Sequence, residues 1–179
     1  MKPALLLVDI QNDYFPGGKM ELVSIDFASA NARILLDQFR YQGLATFHIQ
    51  HTFLNSIAGF FAPNTEGIEI HGSVDPLPGE TVIHKNYPNS FRKTDLLSQL
   101  NQKEVTDLVI CGAMSHMCVE ATTRAAADYG FKCVVVQDAC ATRDIEFRGK
   151  TVSAMDVHNV SMSALAFAYA NVVNTSEIV

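Results

Sequence analysis

Six short runs of the chain are almost unbroken in apolar residues: ALLLV at 4–8, LATFHI at 44–49, TVIH at 81–84, DLVIC at 107–111, KCVVV at 132–136 and NVVNT at 171–175. A strand with one solvated face alternates apolar and polar residues, whereas a run without alternation belongs to a strand covered on both faces, as in a parallel sheet between helices. The segments between the runs fit this pattern, because 26–41, 94–100, 115–129 and 147–170 repeat with helical period, the last in two pieces. Gly43 and Gly130 stand where helix stops belong. Runs alternating with helices predict an α/β fold built on a parallel sheet. A chain of 179 residues, 48% hydrophobic and 18% charged, fills one sizeable core and is short for two, so residues 1–179 read as a single domain. Two stretches lack any period, 16–20 and 53–78. The second carries HTFLNSIAGFFAPNTEG, and a loop of that length in a compact domain is expected to be a binding segment or lid.

Charge and cysteine usage narrow the class. A formal charge of -6 without a basic cluster argues against a nucleic acid or an anionic membrane as partner. No stretch approaches the roughly 18 apolar residues of a membrane span, and no signal-peptide layout is present. Cys111, Cys118, Cys133 and Cys140 lack CxxC spacing, which fits a reducing, cytoplasmic setting. Cys111 and Cys133 fall inside strand runs and read as small buried hydrophobes. There is no GxGxxG after the first run, and GGK at 17–19 lacks the spacing of a phosphate loop, so no nucleotide cofactor is expected.

In open parallel sheets the ligand crevice lies beyond the carboxyl ends of the strands. Asp9 follows the first run, with Gln11, Asn12 and Asp13 behind it; Lys85 follows the third; the Gly112 to Cys118 turn follows the fourth. Each has a plain reading: Asp9 as a helix or turn cap, Lys85 as a solvated lysine, Cys118 as core. One topology nevertheless brings an acid, an amine and a thiol to one edge. The chemistry that uses this trio is addition of a thiolate to a carbonyl-type carbon. A helix N-terminus and the Lys85 ammonium are expected to lower the Cys118 thiol, Asp9 to accept its proton and return it to a leaving amine, and the Met114 and Cys118 amides to receive the oxyanion. Asn12 and Asp13 are expected to hold the first loop by bonding backbone groups.

These residues carry a resemblance. ALLLVDIQNDYFPGG, TEGIEIHGSV, HKNYPNSFRKTDL and DLVICGAMSHMCVEATTRAAADYGFKCVVVQDACAT, in this order, resemble the isochorismatase-like cysteine hydrolase superfamily over nearly the whole chain. Nicotinamidases, N-carbamoylsarcosine amidohydrolases, ureidoacrylate amidohydrolases and biuret hydrolases belong to it. The resemblance implies a three-layer Rossmann-like fold with a six-stranded parallel sheet and a catalytic triad of Asp9, Lys85 and Cys118. It also implies a cis peptide between Ala113 and Met114. True isochorismatases, which cleave a vinyl ether, typically lack the thiol, so Cys118 points to hydrolysis of a C–N bond in a small amide, ureide or imide. Vinyl ether hydrolysis, or a non-hydrolytic binding or redox-sensing α/β protein using Cys118, are the alternatives. Substrate contacts implied are Gln11, Tyr14, Phe15, Phe60, Phe61, Phe91 and Ser115; His51, from its place at a strand end, is expected to line the pocket with them. The metal-binding Asp-x-His of nicotinamidases is absent here. His51 stands near the aspartate's place, and His48 lies three residues away on an extended strand, facing the other side, so no metal is expected. By analogy the chain is expected to form a homo-oligomer, a dimer or tetramer, with the apolar segment MSALAFAYANVV as core or interface.

Overall fold

A computed structural model describes residues 2–179; Met1, with which the expected domain begins, lies outside them. The six runs form one parallel sheet: β1 (Pro3–Val8), β2 (Ala45–His51), β3 (Thr81–Lys85), β4 (Asp107–Ala113), β5 (Lys132–Ala141) and, last in the chain, β8 (Ala170–Val173). Their spatial order is β3-β2-β1-β4-β5-β8, every neighbouring pair parallel. The absence of alternation in β1 has its cause in two cores. Leu5 and Leu7 pack toward α1 (Ile25–Tyr41), against Ala28, Ala32, Leu35, Leu36 and Phe39. Ala4, Leu6 and Val8 face the opposite layer, where α2 (Leu96–Gln102), α3 (Glu120–Asp128) and α4 (Ala154–Ala168) contribute Leu96, Leu100, Ala126, Met162 and Leu165. Successive side chains of a strand point to opposite faces, so one apolar run feeds both layers.

The expected helix stops are where the sequence puts them. Past α1, the amides of Leu44 and Gly43 donate to Phe39 and Arg40 carbonyls at 2.9 and 3.0 Å; past α3, Phe131 and Gly130 repeat the pattern on Ala126 and Ala127 at 3.1 and 2.9 Å. Both are Schellman closures, which satisfy the orphan carbonyls of a last turn.

The expectation of helix from residue 147 fails. Residues 145–152 form a hairpin, β6 (Ile145–Phe147) paired antiparallel with β7 (Lys150–Val152). Arg148 and Gly149 at its tip both have positive φ, 51° and 74°, the two-residue turn whose twist matches a hairpin. Helix α4 starts only after Ser153, whose hydroxyl accepts the Asp156 amide at 3.2 Å. Its outer face leaves Met155, Val160 and Phe167 exposed. No helix among the described residues is long and apolar enough to cross a membrane.

Candidate active site

Chain direction across the sheet reverses between β1 and β4: β2 and β3 lie to one side, β5 and β8 to the other. At such a switch point the connections after the two central strands diverge and leave a crevice at their carboxyl ends. Asp9 leaves β1 there in a left-handed conformation, φ 52°, with its amide on the Ile49 carbonyl at 3.1 Å. Next to it, Gly112 of β4 pairs with Val8, and a Cβ on Gly112 would stand 2.0 Å from the Val8 carbonyl oxygen; with φ at +122° only glycine fits. The chain then passes through the cis Ala113–Met114 peptide into a π-helical turn, Ser115–Val119, that carries Cys118 to the start of α3. Lys85, the last residue of β3, pairs with His51, the last of β2.

These four side chains meet. The Lys85 ammonium donates to Asp9 Oδ2 at 2.7 Å and to His51 Nδ1 at 2.8 Å. His51 Nδ1 lies 3.8 Å from Asp9 Oδ2 and 3.9 Å from Cys118 Sγ. All are sealed from water, with Asp9 at 0%, Lys85 at 1%, His51 at 3% and Cys118 at 4% exposure. Two buried atoms of the group have no hydrogen-bond partner, Asp9 Oδ1 and His51 Nε2. Burial pushes the Asp9 carboxyl up, but the charge beside it, chiefly the Lys85 ammonium, outweighs this and holds Asp9 below its ordinary value, as an anion. Cys118 goes the other way. Burial pushes its thiol well above its ordinary value and the Asp9 charge adds to this, while Lys85 only partly opposes them. The expectation of a thiol lowered at rest is therefore overturned: a thiolate here would be desolvated beside a carboxylate that already holds the one ammonium.

The remaining sequence-derived residues separate into groups. Gln11 clamps the backbone of His51 from both sides, accepting its N–H at 2.7 Å and donating to its carbonyl at 2.8 Å. Tyr14, Phe60 and Phe61 pack with tilted rings beside His51, with Tyr14 and Phe61 centroids 4.6 Å apart, Phe60 and Phe61 5.1 Å apart and Phe61 5.9 Å from the imidazole. Asp13 and Asn12 hold this wall as loop residues should: Asp13 Oδ2 accepts the Phe61 amide at 2.6 Å and Asn12 donates to the Glu66 carbonyl at 3.0 Å. Phe15 instead lies flat on His71 at 3.5 Å. Phe91 packs on Tyr129 and Phe131, at 5.2 and 6.3 Å, away from that wall. Ser115 shares its hydroxyl with the Ala141 carbonyl at 3.2 Å and His158 Nδ1 at 2.8 Å, bracing the turn against α4. His48 turns to Glu80 at 3.0 Å and takes no part in the site.

Donor atoms of Asp9, His51 and Cys118 lie within 4.8 Å of one another. The Lys85 ammonium stands within hydrogen-bond reach of two of them, so the cation these groups call for is the protein's own. Sequence reasoning missed Phe53, whose ring lies 4.6 Å from that of His51, and Arg143, whose buried Nε has no partner. Their places just beyond β2 and β5 are the signal that pointed to the others.

A strand-end acid, lysine and thiol thus converge at the switch point of an open parallel sheet, and comparison with known proteins fixes the family. The isochorismatase domain model matches residues 3–172. The isochorismatase family protein YddQ of Bacillus subtilis is 53% identical over 175 residues, covering 98% of this chain and 97% of that protein. An isochorismatase hydrolase structure from Oleispira antarctica superposes with a TM-score of 0.95 at 49% identity, covering 99% of this chain and 95% of that one. The nicotinamidase of Escherichia coli is 27% identical, covering 80% of this chain and 84% of that enzyme. The chain belongs to the isochorismatase family of hydrolases.

Proposed function

We propose that the protein is a cysteine hydrolase that cleaves a C–N bond of a small planar amide, ureide or imide through a thioester on Cys118. The observation that carries this reading is the pairing of an ionised, half-unsatisfied Asp9 carboxylate with a protonated Cys118 thiol around one shared lysine. A nucleophile kept protonated at rest needs a base within reach, and Asp9 keeps a free oxygen for it. As Cys118 Sγ bonds to the substrate carbon, its proton passes to Asp9. Lys85 then faces one fewer carboxylate charge and one developing on the substrate. The oxyanion is received by the Met114 and Cys118 amides; among the described residues, no loop or turn hydrogen bond engages the Met114 amide. Collapse of the tetrahedral intermediate breaks the C–N bond, and the departing nitrogen takes the proton from Asp9. Water then attacks the thioester, giving its proton to Asp9, and the acid leaves as sulfur is reprotonated.

The kinship with a nicotinamidase supports nitrogen as the leaving atom. The test is ammonia release from nicotinamide, pyrazinamide, N-carbamoylsarcosine, ureidoacrylate, biuret and maleamate, beside isochorismate cleavage, with Cys118→Ala as control. Cysteine-dependent ammonia release and an acyl adduct on Cys118 by mass spectrometry are expected. Isochorismate cleavage that survives Cys118→Ala overturns the reading.

A further inference from the structure

His51 has a role the proposed triad does not use. Its Nδ1 lies 2.8 Å from the Lys85 ammonium. An ammonium has no lone pair, so Nδ1 must accept and the ring proton sits on Nε2. That N–H is buried, and it has no acceptor. Buried donors are nearly always paired, because an unmade bond forfeits the hydration the group had in water. The ring has no freedom to turn and find one: Gln11 fixes the His51 backbone at both its N–H and its carbonyl, and Lys85 fixes Nδ1. Phe53 and Phe61 border the same ring, with centroids at 4.6 and 5.9 Å, and offer no lone pair to accept it. Cys118 Sγ lies 3.9 Å from Nδ1, so an acyl group on that sulfur is next to the imidazole.

We infer that His51 is a substrate-binding residue whose Nε2–H donates to a second, neutral acceptor on the substrate, so that the site selects flat amides with a ring nitrogen or further carbonyl near the scissile group. The inference rests on the amide-hydrolase reading above and adds the recognition element to it. A neutral acceptor is specified because the imidazole is neutral in this tautomer and the Lys85 cation beside it is already engaged by Asp9. The aromatic neighbours accept the flat body.

The probes are picolinamide, nicotinamide and isonicotinamide, set against benzamide, which has the same shape without the ring nitrogen. Binding is measured calorimetrically on Cys118→Ala protein, which holds ligand without turnover. At least one pyridine isomer is expected to bind about tenfold tighter than benzamide, the worth of one hydrogen bond to a buried donor. His51→Asn in that background keeps an acceptor near the Nδ1 position for Lys85 and removes the distal donor. It is expected to abolish the preference while leaving benzamide affinity within about twofold. Should His51→Asn fold poorly, the preferred isomer must still shift the 15N resonance of His51 Nε2 in the parent protein, and benzamide must not. Equal affinity for all four compounds, no binding of any, or a preference that survives His51→Asn overturns the inference. Isomer preference without ammonia release from the wild type sinks the hydrolase reading alone; ammonia release without preference sinks this inference alone.

Discussion

Cys118, Asp9 and Lys85 form a set in which two acids share one base, and their charges cannot be assigned one at a time. With Asp9 ionised on Lys85, the thiol keeps its proton, so iodoacetamide is expected to alkylate Cys118 slowly at pH 7 and steadily faster as pH rises. In Asp9→Asn the buried ammonium loses its counter-ion and a thiolate becomes the replacement. Alkylation at pH 8 should then quicken by about tenfold, one unit of thiol acidity, while turnover collapses for want of a base. Equal alkylation rates in the two proteins would contradict the shared-lysine account. Lys85→Met tests the same set from the other side. It leaves the 0% exposed Asp9 carboxylate unpaired, and urea denaturation at pH 7 should show a loss of about 3–5 kcal/mol. The identities and convergence of these residues were legible in the sequence because strand-end position alone places them. The protonation state was not, since it depends on how deep the turn buries Cys118, and no local pattern around that residue encodes depth.

Among elements, the wall over the site depends on one carboxylate. Asp13 accepts the Phe61 amide through Oδ2 and the Lys19 amide through Oδ1, tying the 53–78 segment to the first loop. Asn at this position has one oxygen for two donors and turns an amide N–H toward another. Asp13→Asn should cost about 1–3 kcal/mol, and hydrogen exchange at Phe61 should rise well before that of the β1 amides. Gly112→Ala would drive a Cβ into the Val8 carbonyl at the strand pair that frames the crevice, and about 3 kcal/mol or more should be lost, read as a fall in Tm. The same contrast explains what the sequence disclosed about elements. Unbroken apolar runs and Gly43 or Gly130 report on local physics, and β1 to β5 and the ends of α1 and α3 follow from them. The sequence reads as helix from residue 147, across most of the hairpin, because Arg148 gives no outward sign that it takes φ 51°, and the turn becomes visible only once β6 and β7 pair.

Over the whole molecule, the titrating groups sort into two sets that bound stability from either side. Burial holds His48, His71, His116 and His158 below the ordinary histidine value of 6.5. The unfolded chain therefore takes up protons first as pH falls through 6.5, so the stability these groups contribute is present above that value and lost below it. Asp9, below its ordinary 3.8, and Glu80, held at about 2 by Arg40 against the burial that would raise it, extend the loss into stronger acid. The thiols act oppositely. Burial raises Cys111 and Cys118 well above the ordinary 9.0, Cys133 to about 11 and Cys140 to about 12. The unfolded chain gives up those protons first, so their contribution is intact below 9.0 and disappears as pH rises through the folded values. Stability by urea denaturation under reducing conditions should be flat between about pH 7 and 8.5 and fall on both sides. Each thiol steepens the alkaline arm by up to about 1.4 kcal/mol per pH unit. Repulsion from the -6 net charge also weakens the fold in alkali, but it does not depend on any one cysteine. Cys140→Ala separates the two causes. Removing that thiol should make the alkaline arm visibly shallower while the acid arm is unchanged; an arm of unaltered slope would show that the buried Cys140 thiol has no influence on the alkaline loss.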